Sequence, residues 1–309
     1  MSGRVRHTIR PLGAVVLLVF AACSGSAGAP PVLDGYDLPV ASTPFRLGLD
    51  VDGTVDVGGP NDTSALSQVV DTSGLKVSAR MRLDYDQDVA ESGSGRTVTM
   101  RATAISGRFT SFVASRDLGD ADLKAVGHDG TVTLEVARDG TLQGSDGSPL
   151  GGFELPVVAD VLTGWACPPL PEGGAAPGST WPVTVETPGG ARLTGTATYS
   201  PGDVAGRHVL ETSAEIAGDV EAGGVDLEAV VAAATGADLP DLHLSPMNLT
   251  AHVQTRSRCR LDAEDLSLVS SVMDSTVEVT VHATSDARYD AILDGTTMSF
   301  DISASAAPV

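Results

Sequence analysis

Apolar and polar residues alternate one by one along most of this chain, and that rhythm restricts the backbone to extended strands. Leu75, Val77, Ala79, Met81, Leu83 and Tyr85 fall on one side of such a strand, with Lys76, Ser78, Arg80, Arg82 and Asp84 on the other. Ala191, Leu193, Gly195, Ala197 and Tyr199 alternate with Arg192, Thr194, Thr196 and Thr198. Val277, Val279 and Val281 alternate with Glu278, Thr280 and His282. The pattern recurs at Val132–Val136, Leu210–Ile216, Met247–Val253 and Met298–Ile302. One dry and one wet face belongs to antiparallel sheets, because strands of a doubly wound sheet are buried on both sides. The expected class is mainly β, with antiparallel, strongly curved sheets of half-barrel type and a few short covering helices. Asp-Gly pairs at 52–53, 129–130, 139–140 and 294–295 read as tight turns between strands. At the first, a turn of Asp52-Gly53-Thr54 would pair Val51 with Val55 and Leu49 with Val57.

Two segments carry helical spacing. Pro156 to Thr163 sets Val157, Val158, Val161 and Leu162 on one side, with proline placed to start a helix. Val225 to Thr235 spaces Leu227, Val230, Val231 and Ala234 likewise, with acids in the first turn and Gly236 as a stop. Trp165-Ala-Cys-Pro-Pro-Leu-Pro-Glu-Gly-Gly-Ala-Ala-Pro-Gly178 is rich in proline and glycine and reads as a hinge. The expected division is residues 45–165 as an N-terminal β-rich half, 166–178 as the hinge and 179–309 as a C-terminal β-rich half. Each half offers amphipathic strands and one short apolar helix, a pattern of tandem related halves without residue-level identity.

The N-terminus is an export signal. Arg4, Arg6 and Arg10 precede an apolar stretch from Leu12 to Phe20, too short to span a bilayer, and Ala21-Ala22 lead into Cys23. The segment resembles a bacterial lipobox, which implies residues 1–22 as signal peptide and Cys23 as an acylated first residue. The alternative is plain secretion with cleavage near Ala29, although Pro30 would then follow the cut. Residues 23–44 read as the lipidated N-terminus and a flexible tether, loosest at Ser24–Pro31. The expected location is the outer leaflet of the cytoplasmic membrane, on the extracytoplasmic side.

Outside the cytoplasm paired thiols oxidise and persist. With Cys23 carrying lipid, Cys167 and Cys259 remain for a disulfide closing a long loop, the other reading being two separately buried thiols.

Removing residues 1–22 takes three arginines and no acid from 19 basic and 40 acidic residues, so the mature chain carries a formal charge of −24. Such a body is repelled by nucleic acid and by anionic headgroups, and membrane attachment falls to acyl chains. Seventeen arginines against two lysines suggest a GC-rich genome such as an actinobacterium's.

Candidate chemistry is sparse. Asp50-Val-Asp52-Gly-Thr-Val matches the nucleophile motif of haloacid-dehalogenase-type phosphatases, with Lys124, Asp120 and Asp122 available for the other roles. Strand alternation runs through the motif and no strand-helix alternation follows it, so the phosphatase is a remote alternative. Ser73-Gly-Leu-Lys76 lacks the partner motifs of penicillin-recognising enzymes. His128, His208, His243, His252 and His282 have no mutual metal-ligand spacing, so no metal or other cofactor is expected. Trp165 and Trp181 flank the hinge and read as hydrophobic plugs.

Leu170-Pro171, then Pro177-Gly178-Ser179-Thr180-Trp181 followed by alternating strands, resembles the "LPxxP…vGdsW" turn of an uncharacterised family of actinobacterial envelope lipoproteins. Cys259-Arg-Leu-Asp262-Ala-Glu-Asp-Leu266-Ser-Leu-Val-Ser-Ser fits the same pattern of a strand, an Asp and a strand running away. The resemblance covers the C-terminal half best, is similar in architecture to LolA-like and mycobacterial lipid-binding lipoproteins, and implies no catalytic residues. The expected function is therefore a non-enzymatic, membrane-anchored lipoprotein that binds a lipid-like ligand. Val277, Val279, Val281, Leu193, Leu83 and Met81 are the candidate lining. The rival is a structural or protein-interaction module whose wet acidic face meets a partner.

Overall fold

The computed structural model describes residues 32–36, 40, 42–56, 75–93, 95–111, 115–119, 131–146, 167–186, 191–226, 245–285, 290 and 293–309. The first half of the chain supplies β1 (Ser42–Asp56), β2 (Leu75–Ser92), β3 (Gly95–Thr110), β4 (Ser115–Leu118), β5 (Thr131–Ala137) and β6 (Leu142–Asp146). The second supplies β7 (Thr180–Glu186), β8 (Arg192–Val204), β9 (Arg207–Val225), β10 (Met247–Asp262), β11 (Leu268–His282) and β12 (Thr297–Pro308). All join one antiparallel sheet in the order β6-β5-β3-β2-β1-β12-β11-β10-β9-β8-β7, with β4 beside β3. The first half steps outward from β1 to one edge, and the second starts at the far edge and steps inward to β12. The halves meet where β1 lies against β12, from Phe45 opposite Pro308 to Asp56 opposite Thr297. Residues 32–309 form one compact unit.

Eleven strands side by side at about 4.8 Å spacing would make a flat ribbon roughly 50 Å wide, and open sheets of that width curl. Here β6 and β7 do not pair among the described residues, so the sheet is curved but open. A strap crosses the gap. Leu170 N donates to Asp139 O in the β5–β6 turn at 2.7 Å, while Pro169 O accepts from the indole of Trp181 on β7 at 2.8 Å. Consecutive strap residues thus bond one to each side. The segment expected as a hinge between two halves is instead the tie between two edges of one sheet.

The expected flexible tether also ends earlier than residue 44. Leu33 bridges Ala175 of the strap, and Tyr36 N donates to Arg138 O at 2.7 Å. Both side chains are buried, at 3% and 4% exposure.

The dry side chains bury as the alternation requires. On β10 Met247, Leu249, Ala251, Val253, Cys259 and Leu261 are all within 3% exposure, with Thr255 and Ser257 buried on the same face and the polar residues between them, from Asn248 to Arg260, exposed or half-buried. Each large apolar side chain so buried contributes about 1.5–3 kcal/mol, before the entropy of ordering it. Trp181 is the plug expected of it, 6% exposed, whereas Trp165 lies outside the described residues.

Turn expectations divide. Gly140 (φ 91°) and Gly295 (φ 76°) lie in turns at two of the four Asp-Gly pairs, and 129–130 lies outside the described residues. At 52–53 the hairpin is corrected, because β1 runs straight through to Asp56, with Val51 opposite Ala79 and Ile302. Gly53 serves the adjacent strand instead. It stands opposite Phe300, and a Cβ there would lie 2.8 Å from that ring's Cε1. Glycine within a strand often marks such a close approach. The helix expected from Val225 is corrected at its first residue, which ends β9 in the ladder opposite Met247; residues 227–235 and 156–163 lie outside the described residues.

Gly53→Val should therefore lower stability by about 1–3 kcal/mol through overpacking against Phe300, read as a fall in urea midpoint at constant slope.

Candidate functional site

The candidate site is the inner, apolar face and the strap that closes it. Cys23, the expected anchor, lies outside the described residues. The register sets the face out in rows across the strands. One runs Met81, Leu49, Ala304, Met273, Ser257, Ala214, Ala197 and Trp181. The next runs Leu83, Leu47, Ala306, Ser271, Cys259, Thr212 and Tyr199. A third joins Gly53, Phe300, Val277 and Val253, with Leu193 packed over Gly218 beside them. The six candidate lining residues thus share one face but sit in separate rows. They are packed: Val277 is 0% exposed, Val279, Val281 and Leu193 1%, Leu83 2% and Met81 5%.

In the first two rows Leu and Met on β1 and β2 give way to Ala, Ser and Thr toward β8, which leaves depth for another piece of chain. The strap and the tether segment use it. Cys167 bonds Cys259, 92 positions further along the chain, with a Cα separation of 5.0 Å, which settles the expected disulfide. The Tyr36 hydroxyl donates to Pro168 O at 2.7 Å and stands 3.3 Å from Thr212 Oγ1. Burial pushes the Tyr36 phenol above its ordinary value of 10.0, with the Thr212 contact opposing. The sequence reading missed Tyr36 and Leu33, although two large apolar residues inside a supposed tether were the available signal.

Tyr85 differs. It is 3% exposed and stacked on Phe45 at 6.0 Å, yet its hydroxyl has no hydrogen-bond partner among the described residues. Burial pushes its phenol up too. A buried, unpaired hydroxyl costs about 1–3 kcal/mol and needs an explanation.

The motifs with enzymatic readings lie on the opposite, wet face. Asp50 accepts from Arg80 Nε at 2.6 Å, and Asp52 follows two residues on in mid-strand. A phosphoryl-accepting Asp needs the end of a buried parallel strand, and β1 is antiparallel to both neighbours. Lys124, Asp120, Asp122 and Ser73 lie outside the described residues. His252 bonds Asp219 at 2.8 Å, His282 bonds Thr250 at 2.9 Å and His208 pairs with Asp203 at 2.6 Å. These are separate pairs, and no group of three or more metal-ligating residues occurs among the described residues.

Among the described residues, two grooves open on the wet face. One of about 510 Å3 runs across β1 and β12 to β8 between Asp50, Asp52, Asp274, Asp301 and Glu215. The other, of about 370 Å3, lies over β2, β1, β12 and β11 near the C-terminus.

No family model and no curated protein matches the chain. Among solved structures it aligns with Pseudomonas aeruginosa OccK5 (OpdH) at 7% identity, over 87% of this chain and 98% of that one, with a TM-score of 0.18. Pseudomonas aeruginosa OpdQ aligns at 8% identity over 87% and 97%, also at 0.18. Likeness at that level carries no argument about function.

Two outcomes follow from the buried phenols. Both are held above 10.0, so their contribution is complete below pH 10 and is lost as pH rises beyond it. The urea midpoint should fall between pH 9.5 and 11, and less steeply in a Tyr36→Phe, Tyr85→Phe double variant. At pH 7 the single changes should diverge. Tyr36→Phe loses the Pro168 bond and about 1 kcal/mol, whereas Tyr85→Phe is neutral or stabilising.

Proposed function

We propose that the protein is a non-enzymatic lipoprotein, anchored by acylated Cys23 to the outer leaflet of the cytoplasmic membrane, whose curved sheet binds a lipid-like ligand on its apolar face. One observation carries the ligand part: a broad, mainly apolar face on a sheet whose edge strands do not pair among the described residues, tied across that edge by a short strap. A closed barrel would need no such tie, and loosening the strap would open the seam while leaving the strand ladders intact. Aliphatic walls accept acyl chains without directional bonds, and the Tyr85 hydroxyl, unpartnered among the described residues, offers such a ligand a polar contact. The anchor would supply two acyl chains, enough for stable retention where one is marginal.

A second reading, an interaction module of the cell envelope, is favoured by a specific observation. The six candidate lining residues are no more than 5% exposed, and both grooves described above open on the wet face. If the strap stays shut, the wet face is the working surface.

The readings separate in one experiment on the exported chain lacking Cys23. Lipid in organic extracts, saturable binding of a fluorescent fatty acid, and weaker binding in Val279→Phe support the ligand reading. Cys167→Ser should lower stability by about 3–5 kcal/mol on the chain-entropy model while easing probe entry. Neither extractable lipid nor probe binding, even after the disulfide is removed, would leave the interaction module. For the anchor, Cys23→Ser should release the protein into the medium or leave it unprocessed; membrane retention of the processed variant would overturn it.

A further inference from the structure

On the wet face, the row that crosses the sheet at Gly48 has an unusual composition for a chain of net charge −21. From β3 to β7 it holds Ser106, Arg82, Gly48, Ser305, Val272, Arg258, Ser213, Thr198 and Thr180, without a carboxylate. The flanking rows balance their charges internally. Arg46 forks onto Asp84 at 2.6 and 3.0 Å, Arg80 pairs with Asp50, Arg256 with Glu215 and Arg260 with Glu211. Arg258 reaches Glu211 only at 3.5 Å, and that carboxylate is already engaged by Arg260. Arg82 makes no ion pair within 4.0 Å among the described residues, and its charge reaches only Asp84 of the flanking row, which Arg46 already holds. The 370 Å3 groove spans this row and the Arg46 row beside it, lined by Arg46, Arg82, Gly48, Ser270, Val272 and Ser305, with no acid in its lining.

We propose that this groove binds a small phosphate ester through the Arg82 guanidinium and the hydroxyls of Ser270 and Ser305. Arg82 and Ser305 sit on either side of Gly48, two strands and about 10 Å apart at the backbone, and Ser305 Oγ lies over the glycine, 3.1 Å from where a Cβ would stand. A guanidinium offers two parallel N–H donors, and a tetrahedral oxyanion has acceptors left for flanking hydroxyls. A carboxylate-free groove admits one such anion, while the acidic remainder of the surface disfavours an extended anionic partner such as a bilayer. The proposal concerns the face opposite the apolar interior and stands whether or not a lipid binds there.

The test uses the exported chain lacking Cys23 and titrates sn-glycerol 3-phosphate while following the arginine Nε–H resonances. A saturable shift confined to Arg82 is expected, screened by salt and weakened about tenfold or more in Arg82→Gln. Gly48→Glu, which fills the groove with a carboxylate, should abolish it, and Arg80→Gln, outside the groove, should leave it unchanged. Unaltered unfolding midpoints show that the variants are folded. No saturable shift, or an equal response in wild type and Arg82→Gln, overturns the site. Arg82-dependent retention on phosphatidylglycerol vesicles without a response to glycerol phosphate overturns the assignment to a small ligand.

Discussion

The ladder between β1 and β12 is the interaction on which the rest of this structure depends. It pairs the first strand with the last, Leu47 with Ala306 and Val51 with Ile302, across some 250 residues of chain. Every other strand contact joins neighbours in a meander, or nearly so, and forms with little loop entropy. The central ladder closes a loop of almost the whole body, a cost that rises only logarithmically with length but must be met before the contact forms. Without it the two halves are separate meanders, each with a raw apolar edge. With it they are one sheet, and the chain must pass from the outer edge of the first half to the outer edge of the second.

That passage accounts for the strap. A sheet this wide curls, its edges approach, and the connection crosses the gap carrying prolines that cannot serve as ladder donors. Its backbone groups find partners on both sides, at Asp139 and near Trp181. The disulfide to Cys259 fixes it against β10, where small residues leave room. Tyr36 completes the closure from the segment before β1, so both ends of the N-terminal half are tied at the same seam.

The two faces then take different physical roles. The inner face is mainly apolar, with a few buried hydroxyls on β9 to β11, and the stabilisation of its apolar part scales with area rather than with specific partners. The outer face is held by cross-strand ion pairs and hydroxyl contacts, each worth little in water. Its charges are sorted by row rather than evenly spread, and one row collects arginine and hydroxyl without acid.

Much of this was legible in the residues themselves. A period-two pattern can satisfy a dry and a wet side only as a strand, so the mainly β class, the strands β2, β5 and β8 to β12 and their dry residues follow from local chemistry. The Cys167–Cys259 pair followed from compartment and elimination. What the pattern lacks is any statement of which strand lies beside which. Asp52-Gly53 has the composition of a turn, yet it continues a strand because Phe300, some 250 residues away, occupies the space over the glycine. Leu33 and Tyr36 look like tether until the seam gives them something to bury against. The acid-free row is invisible along the chain, since Arg82, Gly48, Ser305 and Val272 become neighbours only through the register. Alternation is a property of one strand and can be read locally. Adjacency belongs to pairs of strands, and only the folded sheet decides it.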